Sequence, residues 1–194
     1  GANETFLSSA QLRKNVIARA KTLGYTPNST SASSVVLKMT GLNSNITSLP
    51  EGTAFTSSDT LNNETYNFVT FENISVSDGT EFTVYQGSVK TIEYVFDDKV
   101  PNLKFEIPET NIDKTKLIVS VSDSINSTQQ EVYTMFSELP GVDGDSALYF
   151  ISENPNGKFD ISFGDGVLGK KPLPGSLITL KYLTTDGAAA NGLS

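Results

Sequence analysis

Residues 159 to 191, FDISFGDGVLGKKPLPGSLITLKYLTTDGAAAN, set glycines and prolines around two alternating apolar runs. The spacing predicts a strand, a tight glycine turn, a proline-braced loop and a second strand, because period-two alternation gives each strand one core-facing side. A phosphate-binding loop is the competing interpretation, since Gly164 to Lys170 matches G-x-x-x-x-G-K. Its chemistry is wrong. Lys171 stands where Ser or Thr would ligate magnesium, and Pro172 and Pro174 follow where a helix must begin. Without that helix no row of free N–H groups faces a phosphate.

The 194 residues include neither cysteine nor histidine, which removes disulfides, thiolate nucleophiles, imidazole bases and nearly every transition-metal site. An enzyme is therefore not expected, and neither a cofactor nor a small-molecule substrate is called for. No apolar run approaches the roughly 20 residues that cross a bilayer as a helix, so no membrane partner is expected. The net charge of −8 argues against a nucleic-acid partner, which would require clustered Lys and Arg. The charge is also unevenly placed. Between Thr5 and Pro50 there is no acidic residue, while Arg13, Lys14, Arg19, Lys21 and Lys38 are basic. Two interpretations stay open: a basic leading segment that docks on an acidic surface, or a solvated face beside an acidic β body.

Ser8 with Gln11 three residues on forms a capping box, and Gly24 precedes Pro27, so a helix is predicted from about Ser9 to Leu23. Leu12, Val16, Ala20 and Leu23 share one face of it, with Ile17 on the shoulder. Arg13 falls inside that stripe, where it either snorkels or meets a carboxylate. Farther on, Ser34 to Met39, Asn67 to Phe71, Glu81 to Tyr85, Thr91 to Phe96, Leu103 to Ile107 and Lys116 to Ser122 read as short antiparallel strands, half-buried by their alternation. Gln129 to Leu139 suits a short helix or a strand. Asp78-Gly79, Asn156-Gly157 and Asp165-Gly166 are hairpin-type dipeptides marking three strand reversals. The fold class is mainly β (α+β): an N-terminal amphipathic helix followed by two antiparallel, sandwich-like β lobes. The expected division is 1–102, helix plus first lobe, and 103–194, the second lobe with the glycine loop. Gly1-Ala2 reads as a remnant of expression, and the small-residue stop at Ser194 suggests a segment of a longer protein.

Other motifs have ordinary structural explanations. Asp143-Gly144-Asp145 opens like a calcium loop, but Leu148 and Asn154 occupy the positions where glycine and the closing glutamate belong. An exposed acidic turn explains it. Asp165, between two glycines, is expected to accept local backbone N–H bonds, and Tyr25 and Phe163 to anchor packing. No catalytic, metal or cofactor residue is assigned.

The glycine-loop region, FISENPNGKFDISFGDGVLGKKPLPGSLITLKYLTTDGAAANG, resembles the signature of baseplate wedge subunits of contractile-tailed bacteriophages, the baseplate J-like family and its T-even-type relatives. The matching positions are Phe163, Gly164, Asp165, Gly166, Gly169, Pro174, Gly175, Tyr182, Asn191 and Gly192. A second match, LRKNVIARAKTLGYTPNSTSASSVVLKM, is similar to the family's helix, its Leu23-Gly24-Tyr25 stop, a small-residue loop and a first strand. The resemblance implies a structural subunit of the virion tail baseplate, assembled in the host cytoplasm, that pairs with itself as a dimer or higher ring and binds other wedge proteins around the hub. On that implication Arg13, Lys14, Arg19 and Lys21 become candidate interface residues. The alternative is a carbohydrate-binding β domain of a tail fibre or bacterial surface protein, disfavoured by the absence of Trp.

Overall fold

The computed structural model describes residues 7–11, 17–26, 31–42, 45–59, 64–138 and 141–185. These residues form strands and loops, with no helix among them. The chain divides into two compact units that interleave in sequence. The first comprises Gly1–Val89, Asn111–Lys116 and Leu183–Ser194; the second comprises Lys90–Thr110 and Leu117–Tyr182.

The first unit is built on a closed barrel of six strands. They are β1 (Leu7–Gln11), β2 (Ile17–Thr26), β3 (Ser34–Thr40), β5 (Ala54–Asp59), β6 (Glu64–Val69) and β8 (Glu81–Gln86), joined in the order β1-β2-β3-β8-β6-β5. Between them β4 (Ser48–Leu49) and β7 (Ile74–Ser75) pair as a small separate sheet. Alternation decides the inward face. Val35, Leu37 and Met39 of β3 and Phe82 and Val84 of β8 are buried together with Phe55, Phe68 and Leu49, while Lys38 points to solvent. The Phe55 and Phe82 rings meet at 5.4 Å between centroids, a tilted contact typical of aromatic cores. Closure into a barrel leaves this sheet without free edges, unlike the expected sandwich.

The predicted helix from Ser9 to Leu23 is not present in the described residues. Leu7–Gln11 and Ile17–Thr26 are antiparallel strands instead, paired from Leu7 with Lys21 to Gln11 with Ile17. The helical stripe required Ala20 and Leu23 on one side. Ala20 is fully buried, but Leu23 is 46% exposed, at a register shift between Thr22 and Gly24. An extra residue at such a bulge is turned out of the ladder. Pairing β2 to both β1 and β3 satisfies its backbone groups on both sides, a tertiary gain that overrides local capping signals.

A buried carboxylate secures the returning segment of the first unit. Asp113 is 2% exposed; its Oδ2 accepts the Ala32 N–H at 3.0 Å, and its Oδ1 accepts the Thr115 N–H at 2.9 Å and the Thr115 hydroxyl. Nearby, Lys116 Nζ lies 4.5 Å from the centre of the Tyr85 ring.

The second unit holds a seven-stranded sheet in the order β10-β14-β13-β12-β11-β15-β9. The ranges are β9 (Ser88–Val95), β10 (Phe105–Ile107), β11 (Ile112–Ser122), β12 (Glu131–Met135), β13 (Leu148–Glu153), β14 (Phe159–Phe163) and β15 (Leu177–Thr184). Gln129 to Leu139 resolves as a strand in its centre, with Tyr133 inward and Val132 outward. β12 and β13 run parallel, an exception to the expected antiparallel order. In β11, Val119, Ser120, Val121 and Ser122 are all buried, so the half-buried expectation fails there. A central strand covered on both sides has no polar face for alternation to mark.

Candidate functional site

The glycine loop connects β14 to β15, and the two strands are not neighbours: β13, β12 and β11 stand between them. The reversal expected at Asp165-Gly166 is therefore a crossing loop rather than a hairpin. Asn156-Gly157 does turn a hairpin, between β13 and β14, with Glu153 opposite Phe159. Asp78-Gly79 makes a turn against β3, where the Gly79 N–H donates to the Met39 carbonyl at 3.0 Å.

The loop folds back on itself at Gly164 and Gly169. A Cβ on Gly164 would lie less than 3.0 Å from the Gly169 backbone, so only glycine permits the approach. Gly169 itself has φ +86°, a conformation costly for residues with a Cβ. Three backbone bonds hold the fold: Gly166 N–H to the Gly169 carbonyl at 3.0 Å, Gly169 N–H to Asp143 at 2.8 Å, and Lys170 N–H to Ser146 at 2.7 Å. The last two tie the loop to the Asp143-Gly144-Asp145 turn. In that turn Asp143 Oδ1 accepts the Asp145 N–H at 2.9 Å and the Ser146 hydroxyl at 3.2 Å. Gly144 packs under Gly166, where a Cβ would collide with the Gly166 carbonyl. The sequence gives no period for this interlock between two separate glycine turns, although a Gly-rich pair facing each other is its one visible trace.

Asp165 performs the expected task. Its Oδ1 accepts the N–H groups of Val167 at 2.9 Å and Leu168 at 3.0 Å. Those backbone donors, Leu168 first, hold its carboxyl below the usual aspartate range. Lys170 extends to Glu131, Nζ to Oε1 2.9 Å, and this bond raises its pKa. After Lys170 the chain runs through loop into β15, with none of the helix that a phosphate loop requires. Phe163 anchors packing as predicted, meeting Tyr133 edge-on at 5.5 Å and Phe105 at 5.9 Å. Tyr182 is fully buried, and its hydroxyl donates to Glu109; burial, then that carboxylate, push its pKa upward. Pro174 and Gly175 form the turn before β15, where the Gly175 N–H reaches the Phe96 carbonyl at 2.9 Å.

The remaining candidates divide differently. Gly24 and Tyr25 lie in β2 opposite Val36 and Val35, rather than at a helix stop. Arg19 and Lys21 flank buried Ala20 in the same strand, at the register positions of Thr40 and Lys38. Arg13, Lys14, Asn191 and Gly192 lie outside the described residues. Sequence reasoning did not single out Asp113 or the Tyr182–Glu109 pair. Asp113 belongs to no motif, and Tyr182, although a signature position, bonds a carboxylate far away along the chain.

Two properties of the loop define its capacity. Its strand-to-strand frame is immobilised by glycine contacts and hydrogen bonds, and its outer side is aliphatic: Val167 is 80% exposed, Leu173 55% and Leu168 41%. At its foot is a cleft of about 540 Å³ lined by Phe96, Val100, Leu103 and Phe163, with charged residues among the remaining walls. None of the exposed large apolar residues among those described is aromatic.

The comparison with known proteins agrees with the resemblance noted from the glycine loop: the chain is similar in sequence to a baseplate wedge protein. It is 31% identical, over 214 aligned positions covering 97% of its length, to the baseplate wedge protein gp6 of Enterobacteria phage T4. The chain spans 31% of that relative's length. No family profile matches it.

Proposed function

We propose that this chain is a structural part of a baseplate wedge in a contractile phage tail, located in the virion and held there by contacts with copies of itself and with other wedge proteins. The observation that carries this reading is the 31% identity to a baseplate wedge protein across nearly the whole chain. The glycine signature supports it, because its residues fix a loop: Gly164 packs against the Gly169 backbone, and Asp165 accepts nearby backbone N–H groups. Such a protein acts through interface free energies rather than bond chemistry, and rearranged contacts would accompany baseplate switching. The basic leading segment, with Arg13, Lys14, Arg19 and Lys21, is proposed to meet acidic β surface across a subunit boundary. Antibodies raised against the chain should decorate the baseplate end of intact tails in electron micrographs. Label confined to fibres, or absent from tails, would reject the assignment.

A further inference from the structure

We infer that the outer flank of β9 is a strand-acceptor edge, which takes an extended segment bearing lysine or arginine from another wedge protein. The inference rests on the assembly with other wedge proteins in the proposed function, and gives that contact a location and a chemistry.

β9 and β10 are the two ends of the seven-stranded order, so each has one side without a strand among the described residues. They nevertheless approach one another. The Tyr94 hydroxyl donates to the Glu106 carbonyl, and the Phe105 ring lies 5.2 Å from that of Tyr94 and 6.4 Å from that of Phe96. The sheet therefore curls until its two edges meet through side chains, with no backbone ladder between them. β10 has three residues and β9 has eight, so β9 is the edge with room for a ladder.

Alternation fixes which groups that edge offers. Phe96, just past β9, is bonded twice on the β15 side: its N–H donates to the Ser176 carbonyl at 2.8 Å, and its carbonyl accepts the Gly175 N–H at 2.9 Å. Successive residues of an antiparallel strand turn their backbone groups to opposite flanks, so those of Val95, Glu93 and Thr91 point away from β15. The side chains of these three residues are exposed, while Ile92 and Tyr94 are half-buried. A row of amide N–H and C=O groups at strand spacing is matched by another extended backbone. Native edges are commonly shielded by proline or lysine, and Thr91 to Val95 contains neither.

Charge selects among extended segments. The stretch Lys90–Thr110 supplies both edges, and its carboxylates Glu93, Asp97, Asp98, Glu106 and Glu109 outnumber its three lysines. A second copy of this chain, with a net charge of −8, brings like charge to that edge, whereas a basic strand is attracted and places a cation opposite Glu93.

The probe is a labelled synthetic peptide alternating lysine with valine, titrated into the full chain beside a version with glutamate for lysine. The lysine peptide should slow amide exchange at Thr91, Glu93 and Val95 and bind at least about tenfold more tightly than the glutamate peptide. With lysine opposite Glu93, the lysine N–H groups face β9, so N-methylation at the lysine positions should abolish binding. Thr91→Pro deletes one outward N–H and spares the β15 ladder, so it should weaken binding at least about threefold, whereas Thr91→Val does not. Glu93→Lys, which keeps every backbone group, should narrow the preference for lysine over glutamate. Equal binding of the methylated and unmethylated peptides, protection confined to other strands, or no binding overturns the inference. Antibody label at the baseplate without peptide binding would sink this edge and leave the wedge assignment standing; peptide binding at β9 without baseplate label would do the reverse.

Discussion

Replacing Gly164 by alanine tests how the signature loop is built. The added Cβ would come within 3.0 Å of the carbonyl group and Cα of Gly169, which are backbone atoms with no rotamer to yield. Relief requires Gly169 to move, yet its N–H is bonded to Asp143 at 2.8 Å and its carbonyl receives Gly166 at 3.0 Å. Overpacking costs about 1–3 kcal/mol and each lost hydrogen bond about 0.5–1.5 kcal/mol, so the substitution should cost about 2–4 kcal/mol. With a urea slope of about 2 kcal/mol/M this is a midpoint shift of about 1–2 M in the transition of the second unit, followed by circular dichroism and tyrosine fluorescence. Gly157→Ala is the control in the same unit. Gly157 has φ +75° and nothing within 4 Å of an added Cβ, so its cost is backbone strain alone, about 1–2 kcal/mol. A Gly164→Ala shift no larger than that of Gly157→Ala would refute the close-approach argument.

Three further outcomes are expected. Asp113→Ala leaves the Ala32 and Thr115 N–H groups without their acceptor and should cost about 2–3 kcal/mol, seen as faster hydrogen exchange at Ala32; unchanged exchange would contradict the role of that carboxylate. Tyr182→Phe removes the bond to Glu109 at a cost of about 1–2 kcal/mol. Because burial and Glu109 raise the folded pKa above the ordinary 10.0, the stabilising contribution of Tyr182 is complete below that pH and is lost as pH rises through the folded value. The Phe variant should accordingly show a flatter alkaline stability profile, measured by urea midpoints. Reversing Lys14, Arg19 and Lys21 to Glu should weaken association in a salt-sensitive manner; identical sedimentation across salt concentrations would exclude the basic segment from the interface.

Alternation disclosed much of the first unit, because β3 and β8 each place one face in the barrel and leave Lys38 and Thr83 outside the buried set. It could not disclose partners. β14 and β15 read as a hairpin because they are consecutive in the sequence, whereas pairing depends on which faces meet and not on proximity along the chain. The Ser9 to Leu23 segment was read as a helix for a related reason: Leu12, Val16 and Ala20 satisfy a helical period, but Ala20 also serves as an inward strand position once β3 lies beside it. Asp165 was legible because its partners are two and three residues away. Asp113 was not, since its longest-range bond reaches Ala32 and nothing local distinguishes it from a surface aspartate.

The place of β15 between β11 and β9 bears on how the polypeptide is made. A ribosome releases β9 and β11 first, and about sixty residues separate the end of β11 from the end of β15, roughly 3–12 s of translation at about 5–20 residues/s. Throughout that interval the two flanking strands have lateral N–H and C=O groups whose native mate has not emerged, and they are open to mispairing with other nascent chains. Truncation before Leu177 would make the delay permanent, leaving β9 severed from the rest of its sheet.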